Sequence, residues 1–172
     1  MPDATLPIAV DAMGADRGPA EIVAGARQAA ETLGVGVLLV GRPDALPDTG
    51  GIEVLPAAEV VDMADDPVQA VRRKRDASIV RAAEAVRQGR ASALVSAGNT
   101  GATMAAALLR MGRIISVQRP AIATPLPVPG STPTLLLDCG ANAECTPGQL
   151  VQFAQMGAAY AAQRSSRQDG RH

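Results

Sequence analysis

The apolar residues of this chain fall into short runs that alternate with amphipathic stretches. Leu6–Val10 and Val35–Val40 are continuous apolar runs of strand length, which is typical of strands buried on both faces of a parallel sheet. Between them, residues 19–33 repeat apolar side chains at helical spacing, with Pro19 suited to the first turn and Gly34 suited to the end. The pattern predicts a strand–helix–strand unit.

The same alternation continues to the end of the chain. It predicts strands over Ile52–Leu55, Ala93–Ser96 and Leu135–Asp138, and helices over Pro67–Arg75, Ile79–Gln88, Ala102–Met111 and Thr146 to about Ala162. Asp66 and Ser78 are placed to cap two of these helices, and residues 146–149 read as a capping box. Residues 119–134 carry five prolines and are predicted to be extended, at most as an edge strand.

This order of elements predicts an α/β fold with a mostly parallel sheet and flanking helices. Residues 1–162 are expected to form one such unit, and residues 163–172 a polar, disordered tail. Hydrophobic residues make up 47% of the 172 positions but aromatic residues only 1%, so the core must be aliphatic.

Charge and residue types exclude several classes of function. The net charge of −1 argues against a general nucleic-acid binder. His172 is the only histidine, which argues against a catalytic triad or histidine metal site within the fold. The spacing of Cys139 and Cys145 matches neither a zinc site nor a redox pair, so both are expected to be free thiols. Neither a bilayer-spanning run nor a signal peptide is recognisable, which predicts a cytosolic protein.

Three polar loops follow predicted strands, at Asp11–Gly14, Ser96–Gly101 and Asp138–Asn142. In open α/β sheets this is the edge where ligands bind. Asp11 and Asp138 would each orient substrate, hold a polar network or act as a base, or else merely cap the loop that follows. Asn142 would polarise a carbonyl or bind phosphate, or else serve as a turn residue.

The Ser96–Gly101 loop carries the most information. Gly98 and Gly101 allow close approach of the backbone to a ligand, and a helix N-terminus follows them. Ser96, Asn99 and Thr100 add side-chain donors, so the loop suits phosphate. The alternative is a tight turn in which Thr100 is a plain N-cap. Neither a P-loop motif nor a dinucleotide fingerprint is present.

Two basic features have open interpretations. The run Arg72–Arg75 would contact phosphate or an acidic protein partner, or else form a solvated helix face. Arg119, which precedes Pro120, would be an anion clamp or a surface charge.

Ordered strings of residues resemble one known family. They are Val10–Asp16, Arg73–Ser78, Ser96–Ala102, Arg119–Ala123 and Leu137–Asn142, followed by Cys145, Pro147, Phe153, Met156 and Tyr160. Over roughly Pro7–Ala161 the chain is similar to the PlsX-type phosphate acyltransferases. Ala15 and Ala77 depart mildly from the family pattern, where a glycine and a serine are usual.

The resemblance implies transfer of a fatty acyl group from acyl carrier protein to inorganic phosphate. The acyl phosphate would then feed phospholipid synthesis through a membrane acyltransferase. It further implies a fold related to phosphotransacetylases and to isocitrate and isopropylmalate dehydrogenases. It implies a homodimer that is cytosolic or loosely membrane-associated and needs no nucleotide or redox cofactor.

Together these arguments predict two sets of site residues. The predicted catalytic residues are Asp11, Asp138 and Asn142, and the predicted phosphate-binding residues are Ser96, Gly98, Asn99, Thr100 and Gly101. A relative that uses coenzyme A thioesters is the alternative enzyme. Family chains continue further, so the polar end after Ala162 resembles a truncated or frame-shifted terminus. An inactive paralogue that binds a full-length partner, or a gene fragment without function, are the remaining alternatives.

Overall fold

A computed structural model describes residues 6–169 of the chain. The chain divides into two compact units, Met1–Gly112 and Arg113–His172, and each unit has its own sheet. The expectation of a single unit over residues 1–162 stays a prediction.

The first unit is built on a four-stranded parallel sheet, which confirms the predicted α/β class. Its strands are β1 (Ile8–Asp11), β2 (Val37–Gly41), β3 (Glu53–Pro56) and β4 (Ala93–Ser96). Their spatial order is β3-β2-β1-β4, and every pairing is parallel. The chain therefore proceeds from β1 to one side, then returns to place β4 on the other side of β1. Asp11, the last residue of β1, pairs in register with Ser96, the last residue of β4.

Helices connect these strands close to the predicted positions. They are α1 (Pro19–Leu33), a short 3₁₀ helix (Pro43–Ala45), α2 (Pro67–Arg73), α3 (Ser78–Arg87) and α4 (Thr100–Ala106), which continues as a π-helical turn (Ala107–Met111). Gly34 ends α1 in the left-handed conformation at φ 64°, as its position predicted. The predicted cap of α2 is confirmed, because Gln69 N–H donates to Asp66 Oδ1 at 2.8 Å.

The predicted cap of α3 is wrong. Ala77 is the N-cap residue, and Ser78 is the first helical residue with only 1% of its surface exposed. Ser78 N–H instead donates to Glu59 O at 3.1 Å. A segment outside the helix thus accepts the hydrogen bond of the first backbone N–H group of α3. A contact to a residue 19 positions earlier in the chain overrides the local capping preference.

The core of the first unit is aliphatic, as the composition requires. Its largest fully buried side chains include Leu38, Leu39, Val23, Val71 and Val80, with many alanines packed between helices and sheet. Among the described residues, every buried apolar side chain except Phe153 belongs to this unit.

The second unit contains a two-stranded antiparallel sheet and one long helix. Strand β5 (Ala123–Leu126) pairs with β6 (Thr134–Leu137), and α5 spans Pro147–Asp169. The expectation that the strand before Asp138 joins the parallel sheet is therefore not met in this structure. Pro125 opposite Leu135 is compatible with a two-stranded sheet, because each strand pairs on one side only.

The start of α5 follows the prediction and its end does not. Thr146 N–H donates to Gln149 Oε1 at 2.9 Å, and Gln149 N–H donates back to Thr146 Oγ1 at 3.4 Å, which confirms the capping box. The helix extends past Ala162 to Asp169, because no glycine or proline interrupts residues 158–169. Residues 163–169 of the predicted tail are thus helical, and 170–172 lie outside the described residues. In the part of the chain that is described, no helix has both the length and the apolarity to cross a bilayer.

Candidate functional site

The candidate site lies at the carboxyl edge of the parallel sheet, where β1 and β4 end side by side. The connections from β1 and to β4 run in opposite directions across the sheet. Such a switch point is the usual ligand position in this class of sheet. The Asp11–Gly14 loop and the Ser96–Gly101 loop are the two that meet here.

Asp11 joins these two loops through a chain of hydrogen bonds. Its side chain is buried, with 3% of the residue surface exposed. Asp11 Oδ2 accepts from the Ser96 hydroxyl at 2.8 Å, and Asp11 Oδ1 accepts from Met13 N–H at 3.2 Å. Ser96 Oγ in turn accepts from Gly98 N–H at 3.1 Å. A buried carboxylate with this many donors holds both loop backbones in place.

The glycines of the second loop have a packing role that the sequence did not indicate. A Cβ atom on Gly98 would lie 2.8 Å from Gly14 O and 3.0 Å from Gly14 Cα. A Cβ atom on Gly101 would lie 2.7 Å from Pro67 Cγ, at the start of α2. Both positions therefore require glycine so that the loop can lie against its neighbours. Direct contact of these glycines with a ligand stays a prediction.

Asn99, not Thr100, caps helix α4. Asn99 Oδ1 accepts from Ala102 N–H at 3.0 Å, while Asn99 Nδ2 donates to Asp62 O and Met63 O at 3.3 Å each. The alternative in which Thr100 is the N-cap is thus wrong. Thr100 is exposed, and within residues 6–169 the backbone N–H groups of Thr100 and Gly101 donate to no acceptor.

One residue of the basic run, Lys74, is held by the segment that Asn99 contacts. Lys74 Nζ lies 2.8 Å from Val60 O, 2.6 Å from Asp65 Oδ2 and 3.6 Å from Asp62 Oδ2. The hydrogen bond from Lys74 lowers the pKa of the Asp65 carboxyl, and the same bond raises the pKa of Lys74. The basic run 72–75 is therefore not uniform, since its three arginines are exposed.

The second unit gathers the other predicted site residues around a tight turn. Asp138 has a left-handed backbone at φ 64°, which is uncommon for a residue with a side chain. Asp138 Oδ1 accepts from Asn142 Nδ2 at 3.1 Å, and Asp138 Oδ2 accepts from Asn142 N–H at 3.2 Å. Asn142 Nδ2 also donates to Pro120 O at 3.0 Å. Both hydrogens of the Asn142 amide are therefore used, one inside the turn and one on the Pro120 carbonyl.

Arg119 joins this cluster and gives it a positive charge. Its Nη1 donates to Asn142 Oδ1 at 3.4 Å, while the residue as a whole is exposed. Cys145 Sγ lies 3.9 Å from Asp138 Oδ2, the distance of a weak thiol hydrogen bond. Arg119 is therefore not an isolated charge, and its role as an anion clamp stays a prediction.

The predicted site residues thus form two groups. Asp11 lies with the Ser96–Gly101 loop at the parallel sheet, and Asp138 lies with Asn142 beside the antiparallel sheet. In residues 6–169, no group of three His, Cys, Asp or Glu side chains is arranged to hold a metal ion.

Comparison with known proteins assigns the chain to a family. Residues 6–171 match the family described as "Fatty acid synthesis protein". The chain belongs to this family. Similar members named phosphate acyltransferase come from Heliobacterium modesticaldum (52% identity over 164 residues, 90% of this chain and 48% of the relative) and from Synechococcus sp. (55% over 159 residues, 89% and 44%). Another, from Nostoc punctiforme, is 52% identical over 161 residues, which are 89% of this chain and 47% of the relative.

These matches confirm the resemblance drawn from the ordered strings of residues. The chain spans about half the length of the curated relatives it matches. The family match over residues 6–171 includes both clusters of predicted site residues.

Proposed function

We propose that these residues belong to an acyltransferase that forms acyl phosphate from an acyl-[acyl-carrier-protein] thioester and inorganic phosphate. The product serves fatty acid and phospholipid synthesis. The observation that carries the proposal is the hydrogen-bonded chain from Asp11 through Ser96 to Gly98 at the switch point of the sheet. The printed names of the relatives support the reaction class.

The proposed reaction needs a held phosphate and a stabilised oxyanion. A phosphate oxygen attacks the thioester carbonyl carbon, a C–O bond forms, the C–S bond breaks, and the thiolate leaves on the carrier. Holding the two reactants in line supplies a large part of such catalysis. In this proposal the N–H groups of Thr100 and Gly101 and the Thr100 hydroxyl bind the phosphate, while Asp11 and Ser96 keep their loop rigid.

In this proposal the second cluster contributes a positively charged group of its own. Since both amide hydrogens of Asn142 are already donated, to Asp138 and to Pro120, Asn142 acts in this proposal by positioning Arg119. Asp138 holds the Asn142 amide in orientation. The guanidinium of Arg119 is thereby offered as an anion-binding group of the second unit.

The setting of the reaction follows from the resemblance. We propose that the enzyme is a cytoplasmic homodimer with peripheral attachment to the membrane, where a membrane acyltransferase consumes its product. Acyl carrier protein and phosphate are its substrates, and no nucleotide or redox cofactor takes part.

The test is acyl-phosphate formation by the intact enzyme, with Thr100→Val as the diagnostic variant. Valine keeps the shape of threonine and removes the hydroxyl from an exposed position. The KM for phosphate should rise about tenfold, since a hydrogen bond to a charged group contributes about 1.5–3 kcal/mol. Thr32→Val is the matched control, because the Thr32 hydroxyl bonds to Gln28 O within α1.

Two outcomes would overturn the proposal. An unchanged KM for phosphate in Thr100→Val would show that phosphate does not bind at this loop. If the enzyme used coenzyme A thioesters and no carrier-bound acyl groups, the acyl donor would be acyl coenzyme A and not the acyl carrier protein.

A further inference from the structure

We propose that Lys74 is a positioning residue for the phosphate loop, holding the 60–65 segment to which Asn99 is anchored. The inference rests on the proposed function, because it assigns to Lys74 an effect on phosphate binding. Lys74 itself makes no contact with residues 96–101 among the described hydrogen bonds, so its action is indirect.

The 60–65 segment surrounds the ammonium group of Lys74 with oxygen atoms. Lys74 Nζ reaches the backbone oxygen of Val60 and the carboxylates of Asp65 and Asp62 at 2.8, 2.6 and 3.6 Å. Asp65 Oδ2 also accepts from Asp62 N–H at 2.9 Å, and Asp65 N–H donates to Asp62 O at 3.1 Å. One cation thus lies beside two carboxylates and reduces their mutual repulsion across a tight turn.

The phosphate loop is attached to this turn through the side chain of Asn99. Asn99 Nδ2 donates to the Asp62 and Met63 carbonyls at 3.3 Å each. The other end of the same amide caps α4 at Ala102 N–H. The position of the Asn99 side chain, and with it the cap of α4, therefore depends on the position of the 60–65 segment.

Helix α2 adds a second contact with the same loop. Pro67, its first residue, packs so closely against Gly101 that a Cβ atom there would lie 2.7 Å from Pro67 Cγ. Lys74 directly follows the other end of this helix, where its N–H donates to Ala70 O. The phosphate loop is thus supported by α2 at one point and by the turn that Lys74 closes at another.

Lysine suits this position better than the arginines around it. An ammonium group is compact and carries three donors on one atom, which match three oxygens converging from different directions. The side chain of Lys74 is 30% exposed. Arg72, Arg73 and Arg75 are exposed, and within residues 6–169 none of them forms an ion pair. The basic run therefore contains one structural cation among three solvated ones.

The experiment compares Lys74→Met with Arg72→Met in the intact enzyme. Both variants remove one positive charge from the same short segment. In Lys74→Met the KM for phosphate should rise about three- to tenfold, the effect of losing one ordinary hydrogen bond. The thioester KM and kcat should stay within about twofold, and Arg72→Met should resemble the wild type. Amide exchange at Ala102 should accelerate in Lys74→Met alone.

A second variant keeps the inference testable if Lys74→Met does not fold. Asp65→Asn retains the lysine and weakens its closest ion pair, so it should raise the phosphate KM in the same direction. Equal losses for phosphate and thioester in both variants would overturn the positioning role. If Thr100→Val raises the phosphate KM while the Lys74 and Asp65 variants do not, only this inference fails. If Thr100→Val also has no effect, the proposed phosphate site fails and the inference fails with it.

Discussion

Two aspartates end two apolar strands of this chain, and the structure uses them differently. Asp11 is 3% exposed and accepts hydrogen bonds both from its own loop and from Ser96, 85 positions away. Asp138 is partly exposed, has a left-handed backbone and bonds to Asn142, four positions away. Asp11 joins two strands of a parallel sheet, whereas Asp138 closes a local turn.

The surroundings account for this difference. Parallel strands bring their carboxyl ends together, so a side chain at the end of β1 meets the loop after its neighbour. The antiparallel partner of β6 runs the other way, and the turn after β6 satisfies its polar groups locally and through residues 119–122. The same sequence signal, an apolar strand followed by or ending in aspartate, thus bonds across two loops in one unit and within a local turn in the other.

The largest expected effect concerns activity in the second unit. Asn142→Ala should lower kcat about 100-fold, the usual loss when a group that stabilises an oxyanion is displaced, because Arg119 loses its acceptor. Stability should fall by less than about 1 kcal/mol, since the turn is partly exposed. Steady-state kinetics and denaturant unfolding measure the two quantities. The exposed Glu144→Ala is the control, and a stability loss that accounts for the lost activity would reduce Asn142 to a turn residue.

The next effect concerns stability in the first unit. Asp11→Ala should lower the free energy of unfolding by about 1–3 kcal/mol, because the Ser96 hydroxyl and Met13 N–H lose their acceptor in a buried place. Asp16→Ala, in the same loop but exposed, should change it by less than about 0.5 kcal/mol. Denaturant titration checks both. Equal losses of unfolding free energy for Asp11→Ala and Asp138→Ala would show that the two aspartates do not differ in their contribution to stability.

The smallest effect is the titration of Asp65, which reports on how the first unit holds its loop. The pKa of this carboxyl should lie below its ordinary value of 3.8, because Lys74 donates to it. A lowered folded-state pKa means that the contribution to stability is present above the unfolded-state value. That contribution is lost as the pH falls through the folded-state pKa. Carboxyl NMR should show the pKa of Asp65 returning toward 3.8 in Lys74→Met and unchanged in Arg72→Met. An unshifted pKa of Asp65 in the wild type would show that Lys74 does not pair with this carboxyl in solution.

Local signals in the sequence determined the elements and several of their ends. The period of the apolar residues placed α1 between Pro19 and Gly34, and the capping residues Asp66 and Thr146 were identified correctly. The ordered strings of residues identified the family. The period and the caps depend on residues within a few positions of one another, and the family strings depend on residue identities alone, so the sequence carries both.

The tertiary structure decided which of these elements and side chains meet. Only the fold shows that β6 pairs with β5, that Gly98 lies against Gly14, and that Lys74 differs from the arginines beside it. Asn99 and Thr100 are both good capping residues, and carbonyls 36 and 37 positions earlier hold the Asn99 side chain in the capping geometry. These outcomes depend on contacts between distant residues, whose geometry is set by sheet order and packing and is absent from any local pattern.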